Sequence, residues 1–303
     1  MRYHFHTVDV FTDRLFGGNP LAVFPEAKGL KSKQMQSIAR EFNLSETVFV
    51  FPPDNKENTR KLRIFTPAQE LPFAGHPTIG TAFALASTGA VDLVEGETEI
   101  ILEEGVGPVT VSVTVTDGKP VFARFTAASD PEFGPPPPAR EKIAECLGLK
   151  AREVGTGDAE PMAVSCGVPF LFVPLRNSRA VAHAEANQPA WRQHLGDYWA
   201  QQIYLFSFDT RERGAQIHAR MFGPEVGIVE DPATGSAASA LAAYLARLER
   251  AQEGTLRWIV EQGIEMGRPS LLEVQCTVSG GKVTSAQVGG GAVMVSEGDM
   301  LVA

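Results

Sequence analysis

Apolar and polar residues alternate along most of the chain, which is the pattern of half-buried β-strands. In the first half this alternation predicts strands at 3–11, 20–24, 46–51, 62–66, 98–103, 109–115 and 121–127. In the second half it predicts strands at 161–165, 169–175, 203–208 and 217–222. Helical periodicity predicts helices at 31–42, 77–88, 139–148, 188–201 and 233–250. Strands mixed with a few helices indicate an α/β or α+β protein.

Two of the predicted helices are apolar on every face. They are the segments 77–88 (PTIGTAFALAST) and 232–246 (PATGSAASALAAYLA). A helix without a polar face is buried, so we expect each to be surrounded by the strands of its own half. We also expect Pro77 and Pro232 to be the first helical residues, where a missing N–H costs nothing.

Four short motifs recur in the same order at separations of roughly 150–160 residues, the signature of an internal repeat. The first copies begin at Gly18, Glu46, Arg63 and Pro77, and the second copies begin at Gly167, Gln201, Arg220 and Pro232. Each match alone could be coincidence, but four in order favour two structurally similar halves. The stiff run 134–138 (GPPPP) near the middle is either a crossover between the halves or a surface loop.

Composition and charge narrow the class of protein. The chain has 303 residues, enough for one large domain or two smaller ones, and a formal net charge of −9. An acidic chain without a basic cluster does not favour nucleic acid or an anionic membrane as partner. The N-terminus has no signal-peptide pattern, no apolar run could span a bilayer, and three distant cysteines fit a reducing compartment. We therefore expect a soluble cytoplasmic protein.

Two titratable residues, His76 and Asp231, stand just before the two apolar helices. The repeat superposes one on the other. Buried helix N-termini offer unpaired N–H groups and a positive dipole end, which together suit a carboxylate. Small residues at Gly75, Gly235 and Ser236 would let a ligand approach the backbone closely. The alternative is structural, with Asp231 as a helix cap and His76 as a loop residue.

Glu46 is a third candidate, because it stands immediately before an apolar strand. The repeat gives Gln201 as its counterpart, so a carboxylate in one half corresponds to an amide in the other. This difference suggests a single proton shuttle. On position alone, Glu46 could equally be a solvated residue at the end of a strand.

The remaining candidate residues have weaker support for a functional role. His4 and His6 are two residues apart in a predicted strand, a spacing found in metal sites, but no third ligand stands near them, so we expect no metal. Cys166 at a strand end could be a nucleophile, although such a cysteine is usually buried packing. Motifs for triad hydrolysis, phosphoryl transfer and dinucleotide binding are absent from the sequence.

Four segments together resemble the signatures of the PhzF (phenazine biosynthesis) family. They are 16–23 (FGGNPLAV), 45–49 (SETVF), 73–78 (FAGHPT) and 230–237 (EDPATGSA). The resemblance runs in order from about residue 5 to the C-terminus. It implies an α+β fold of the diaminopimelate-epimerase type, with two pseudo-symmetric domains that are each a strand barrel around a central apolar helix. The active site would lie between the domains.

By this resemblance the first domain spans 1–125, joined by 291–303, and the second spans 126–290. The implied function is that of a cofactor-free isomerase, often homodimeric, which moves a proton between carbons of a small anionic carboxylate substrate. Glu46 matches the family's proton-shuttling glutamate, and His76 and Asp231 match its assisting positions. Gly75, Gly235 and Ser236 would hold the substrate carboxylate.

Two other functions stay open at this point. One is a two-base epimerase or racemase that uses Glu46 and Asp231 from opposite faces of one carbon. Epimerases of this fold use two cysteines at the helix starts, and this chain has none there, so thiol chemistry is not expected. The other is a metabolite-binding protein without turnover, which would have no need of a base.

Overall fold

The computed structural model describes residues 1–127 and 129–302. Within these residues the strands are β1 (Arg2–Val10), β2 (Asn19–Phe24), β3 (Glu46–Phe51), β4 (Arg60–Phe65), β5 (Glu70–Leu71), β6 (Gly96–Glu104), β7 (Gly107–Thr116), β8 (Lys119–Thr126), β9 (Glu132–Phe133), β10 (Met162–Ser165), β11 (Pro169–Pro174), β12 (Gln202–Ser207), β13 (Ile217–Gly223), β14 (Ile228–Asp231), β15 (Gly254–Gln262), β16 (Ser270–Ser279), β17 (Lys282–Gly290) and β18 (Ala292–Leu301). The α-helices are α1 (Ser32–Phe42), α2 (Gly75–Ser87), α3 (Arg140–Cys146), α4 (Ser178–His183), α5 (Gln188–Leu195) and α6 (Gly235–Leu248).

The chain divides into two compact units. The first unit comprises Met1–Thr126 and Gly289–Ala303, and the second comprises Ala127–Val288. The last strand, β18, therefore belongs to the first unit, where it pairs antiparallel with β1. No helix in the described part of the chain is long and apolar enough to cross a membrane.

The first unit is a set of strands around the helix α2. β1 pairs antiparallel with β2, β2 runs parallel to β3 after the crossover α1, and β3 returns antiparallel to β4. β4 then runs parallel to β6 after the crossover α2, and β6, β7 and β8 form an antiparallel meander. α2 contacts β1, β2, β3, β6, β7, β8 and β18, and every residue from Gly75 to Ala86 is buried.

The second unit repeats this order of pairings. β10 pairs antiparallel with β11, β11 runs parallel to β12, and β12 returns antiparallel to β13. β13 runs parallel to β15 after the crossover α6, and β15 pairs antiparallel with β16. α6 contacts β10, β11, β15 and β16 and is almost wholly buried. The two halves thus share one topology, and the expectation of buried apolar helices is confirmed.

The expected strands and helices are all present, with shifts of a few residues at their ends. The alternation of apolar and polar residues did not predict β15, β16, β17 and β18, or the short elements β5, β9, β14 and α4. α5 ends at Leu195 rather than at 201.

The expected role of the two prolines is wrong. α2 begins at Gly75, so Pro77 is its third residue, a position at which the N–H also has no helical partner. α6 begins at Gly235, so Pro232 lies before the helix, in the segment that joins it to β14. A buried glutamine, Gln262, holds that segment out of the helix through the amide N–H of Thr234.

Candidate active site

Glu46 is the first residue of β3 and only 7% exposed. The backbone places it beside Leu21 of the parallel strand β2. The alternative of a solvated strand-end glutamate is therefore wrong. The expected counterpart also needs correction: β12 begins at Gln202, and its register with β11 gives Gln202, not Gln201, the place of Glu46. A shift of one residue matters, because neighbouring strand residues face opposite sides of the sheet.

His76 is the second residue of α2 and lies against Glu46. Its Nε2 is 3.1 Å from Oε2 of Glu46, and its Nδ1 is 3.1 Å from the side-chain nitrogen of Asn19. The close approach of Nε2 to the carboxylate does not have hydrogen-bond alignment. Because the amide of Asn19 donates to Nδ1, the ring proton lies on Nε2 and faces the carboxylate. Glu46, His76 and Asn19 thus form one buried row of polar groups.

Burial lowers the pKa of His76 to about 3. The ring is therefore neutral near pH 7 and presents an N–H group, not a positive charge, to the carboxylate. Asn19, which fixes this tautomer, is completely buried. Our sequence analysis did not assign it a role, although the Gly18-Asn19-Pro20 motif was a usable signal.

The motif requires glycine at position 18 because of the backbone conformation there. The φ of Gly18, at +61°, lies in the left-handed region, and a Cβ there would stand 2.3 Å from the carbonyl oxygen of Val10. Only glycine fits this close approach. The turn leads directly into β2 and so positions Asn19 next to His76.

A second buried carboxyl, Glu104, holds the start of α2. The hydroxyl of Thr78 lies 2.7 Å from Oε1 of Glu104 and 2.8 Å from the carbonyl oxygen of Ala74. The hydroxyl has a single hydrogen for these two acceptors, and a protonated Glu104 resolves the conflict by donating to Thr78. Burial raises the pKa of Glu104 to about 8, which agrees with a neutral acid. Our sequence analysis did not single out this residue.

Asp231 is the last residue of β14 in the second unit and is buried. Its Oδ2 accepts the hydroxyl of Thr234 at 2.6 Å. Gln262 donates from its amide to the backbone oxygen of Asp231 at 2.7 Å and to Oγ1 of Thr234 at 3.0 Å. The hydroxyl of Tyr204 closes the network by donating to Oε1 of Gln262 at 2.9 Å. Burial and the nearby charge of Asp231 raise the pKa of Tyr204, which stays a neutral donor.

The expected superposition of His76 on Asp231 is wrong. Both central helices begin with a glycine, Gly75 and Gly235, so His76 occupies the place of Ser236. Asp231 stands before its helix, because Gln262 holds the chain between them in a non-helical conformation. The sequence motif aligns Pro77 with Pro232, whereas the helix starts align Gly75 with Gly235.

The two helix starts themselves match closely. Neither Ala74 nor Thr234 caps its helix with a side-chain hydrogen bond. Gly75 precedes His76, and Gly235 precedes Ser236. Each start is small and rich in donors, which suits an anionic group.

The structure brings Glu46, His76 and Gly75 together in the first unit. It brings Asp231, Gly235 and Ser236 together in the second. The cysteines take no part: all three are buried, and burial together with Asp130 raises the pKa of Cys166 to about 12, so it is no nucleophile near pH 7. A groove of about 750 Å³ in the second unit lies at the other end of α6, and none of the candidate residues lines it.

Comparison with known proteins places these motifs in a family. The family described as phenazine biosynthesis-like protein matches residues 8–298. An uncharacterised isomerase of Mesorhizobium japonicum is 41% identical, with 97% of each chain covered. The trans-2,3-dihydro-3-hydroxyanthranilate isomerase of Pseudomonas aeruginosa is 36% identical, with 98% of each chain covered.

Solved structures agree on the architecture. The PhzF-family phenazine biosynthesis protein of Bacillus anthracis superposes with a TM-score of 0.88 at 26% identity, and both chains are covered completely. A hydroxyproline epimerase of Agrobacterium vitis shares only the fold, with a TM-score of 0.64 at 14% identity over 98% of this chain and 92% of that one. The fold is therefore α+β of the diaminopimelate-epimerase type, as the motifs implied.

Proposed function

The chain is an isomerase of the phenazine biosynthesis-like (PhzF) family, and on that premise we propose that Glu46 moves a proton between two carbons of a small carboxylate-bearing substrate. The observation that carries this proposal is the buried contact between Glu46 and His76. A base that takes a proton from carbon works best when it is shielded from water and held by fixed donors.

The proposed reaction balances without an oxidant or a second substrate. The carboxylate of Glu46 removes a proton from one carbon and becomes a carboxylic acid, and the electron pair of the C–H bond enters the conjugated system. Glu46 then returns the proton to another carbon, so the double bond moves and the base is regenerated. No group is transferred, and the product has the same atoms as the substrate.

The neighbours of Glu46 would keep it in place during this cycle. Neutral His76 directs Nε2–H toward the carboxylate, and Asn19 holds the ring by donating to Nδ1. Because His76 is not a cation, it does not neutralise Glu46 by an ion pair.

Asp231 and the helix starts would bind the substrate. The carboxylate of Asp231, oriented by Thr234, can accept a hydrogen bond from an amino or hydroxyl group. The N–H groups at Gly235 and Ser236, and those at Gly75, suit the carboxylate of the substrate. These contacts require a small anionic metabolite and need neither a cofactor nor nucleic acid.

The test is conversion of trans-2,3-dihydro-3-hydroxyanthranilate in heavy water, followed by NMR. Wild type is compared with Glu46→Gln, which keeps the shape and removes the base. Glu41→Gln is the matched control, since Glu41 is exposed at the end of α1. We expect Glu46→Gln to lower turnover by roughly 10²–10⁴-fold and Glu41→Gln to leave it unchanged.

The position of the label separates the remaining possibilities. A moved double bond supports the shuttle, whereas deuterium at one inverted carbon supports a two-base epimerase. Turnover of Glu46→Gln within a few-fold of wild type would sink the assignment of the base. If wild type leaves this compound unchanged, the same pair of variants is applied to other small carboxylates.

We propose further that the enzyme works as a homodimer in the cytoplasm, as the family resemblance implies. Size-exclusion chromatography with light scattering tests the dimer. A mass of one chain, which is 32.6 kDa, across the working concentration range would exclude it.

A further inference from the structure

A cluster of metal-binding side chains lies at the start of β1, away from the candidate active site. His4 and His6 are two residues apart and so face the same side of the strand. In the antiparallel pair of β1 and β18, His4 is opposite Asp299 and His6 is opposite Glu297. Two imidazoles and two carboxylates therefore share one patch of the sheet. The other end of β1, at Val10, pairs with Asn19 beside the active-site row.

The geometry points to a binding site for a divalent transition-metal ion such as Zn²⁺, formed by His4, His6 and Glu297. Oε2 of Glu297 lies 3.8 Å from Nε2 of His4 and 3.8 Å from Nδ1 of His6. One ligand atom from each of the three residues lies within 4.8 Å of the other two. Ligands about 2.0–2.2 Å from a tetrahedral Zn²⁺ are roughly 3.4 Å apart, so a small side-chain rotation brings these atoms to that spacing.

The burial of the three residues permits that rotation. The side chain of His6 is 9% exposed and fixes one ligand, whereas those of His4 and Glu297 are 46% and 73% exposed. A bound ion would thus have one rigid ligand and two that can close on it. Open positions at the surface would be filled by water.

Asp299 supplies the partner that metal-bound histidines usually have. Its Oδ1 lies 3.2 Å from Nδ1 of His4. A carboxylate that accepts from one ring nitrogen fixes the tautomer and directs the other nitrogen, with its lone pair, toward the metal. In His4 this other nitrogen is Nε2, the atom that faces Glu297.

The ligand chemistry selects the class of ion. Imidazole nitrogen with one carboxylate suits Zn²⁺, Ni²⁺ or Cu²⁺, whereas Mg²⁺ and Ca²⁺ prefer sites built of oxygen. The sequence-based expectation of no metal depended on the lack of a third ligand near His4 and His6. The structure provides Glu297 from the far end of the chain.

The proposal is tested by isothermal titration of the full chain with Zn²⁺ and, in parallel, with Mg²⁺. The variants are His6→Ala and Glu297→Gln, with His183→Ala as control because His183 is an exposed histidine of the second unit. We expect one Zn²⁺ per chain, with affinity at least tenfold weaker in the two variants and unchanged in the control.

Asp299→Asn sharpens the test, because it removes the outer carboxylate but no metal ligand. We expect it to weaken Zn²⁺ binding by about 10–100-fold. Thermal unfolding checks that each variant is folded, and Glu297 and Asp299 are exposed enough for their variants to fold. Absence of Zn²⁺ binding, equal binding of Mg²⁺, or Zn²⁺ binding retained in both ligand variants would overturn the proposal.

Discussion

The two units place different side chains at matching positions around their central helices. Glu46 at the start of β3 corresponds to Gln202 at the start of β12. Glu104 at the end of β6 corresponds to Gln262 at the end of β15. The first unit therefore has a carboxyl group at both places, and the second has an amide at both.

The pair of Glu104 and Gln262 teaches that the scaffold needs hydrogen bonds at this place and not a charge. Gln262 holds the segment before α6 with its amide, and Glu104 holds Thr78 in the first turn of α2 with a carboxyl that is neutral near pH 7. A neutral acid and an amide have the same shape and both contain one donor group and one carbonyl. The second unit is thus a natural reference for the first.

A further matched pair differs in burial. Lys61 beside Glu103 in the first unit corresponds to His218 beside Glu261 in the second. Glu103 and Glu261 each accept two backbone N–H groups from the loop that precedes β4 or β13. Glu261 and His218 are completely buried, whereas Lys61 is at the surface. We call each such glutamate, with the basic residue beside it, a loop anchor. The anchor of Glu103 and Lys61 is solvated, and the anchor of Glu261 and His218 is buried.

The largest expected effect comes from exchanging the carboxyl and amide of the first pair. The double variant Glu46→Gln with Gln202→Glu keeps the composition but moves the base to the second unit. We expect kcat/KM to be roughly 10²–10⁴-fold below wild type, because His76 contacts the first position and Asn19 holds His76 there. Recovery to within tenfold of wild type would show that the two positions are interchangeable.

The next largest effect concerns the buried anchor formed by Glu261 and His218. His218→Ala leaves the carboxylates of Glu261 and Glu265 without their imidazole partner, which lies 2.8 Å and 3.2 Å away. We expect the free energy of unfolding to fall by about 3–5 kcal/mol, as when a buried ion pair loses one member. Urea denaturation at pH 6 measures it.

The pH dependence of that loss has a definite sign. Burial lowers the pKa of His218, but the hydrogen bonds that its ring donates to Glu261 and Glu265 raise the pKa by more, so the net shift is upward from 6.5. The stabilisation is therefore complete below pH 6.5 and disappears as the pH rises through the folded-state pKa. A difference between wild type and His218→Ala that grows at alkaline pH would contradict this account.

Glu104 gives a smaller effect and distinguishes a neutral acid from a carboxylate. We expect Glu104→Ala to lower the free energy of unfolding by about 1–3 kcal/mol, because Thr78 loses a buried partner. Glu104→Gln should be close to wild type at pH 5. Denaturant unfolding of the three proteins makes the comparison, and equal damage by both variants would exclude the role of a neutral acid.

Across pH, wild type and Glu104→Gln should diverge. The raised pKa of Glu104 means that the folded state binds a proton that the unfolded state releases above about pH 4.5. Wild type should therefore lose stability relative to Glu104→Gln between about pH 4.5 and 8, by at most about 1.4 kcal/mol per pH unit.

The smallest effect is expected at the solvated anchor. Nζ of Lys61 lies 2.5 Å from Oδ2 of Asp54, but the two side chains are 38% and 76% exposed. We expect Lys61→Ala to change the free energy of unfolding by less than about 1 kcal/mol, and high salt to reduce the change. A loss as large as that of His218→Ala would show that burial is not what separates the two anchors.

The internal repeat and the two buried helices could be predicted because apolar periodicity and motif order are local properties of a sequence. The exact correspondence between the halves could not. The motifs pair Glu46 with Gln201 and His76 with Asp231, because short motifs do not record where a strand or helix begins. That is decided by side chains distant in sequence, such as Gln262.

The contacts of the candidate site also depend on residues that are distant in sequence. Glu46 and His76 could each be chosen by position, but their 3.1 Å contact results from the packing of α2 against β3. Glu104 went unnoticed because a glutamate at a strand end is ordinarily solvated. Glu297 went unnoticed because β18 is almost 300 residues from β1 along the chain.

The pairing of β18 with β1 also sets the order in which the protein can be completed during synthesis. The nitrogen of Met1 donates to the carbonyl oxygen of Val302 at 2.6 Å, so the ladder of β1 and β18 extends one residue beyond both strands. The first unit emerges from the ribosome first, yet it lacks a strand until β18 has been synthesised. Until then the edge of β1 that pairs with β18 is exposed and can pair with other chains, whereas residues 127–288 can already fold.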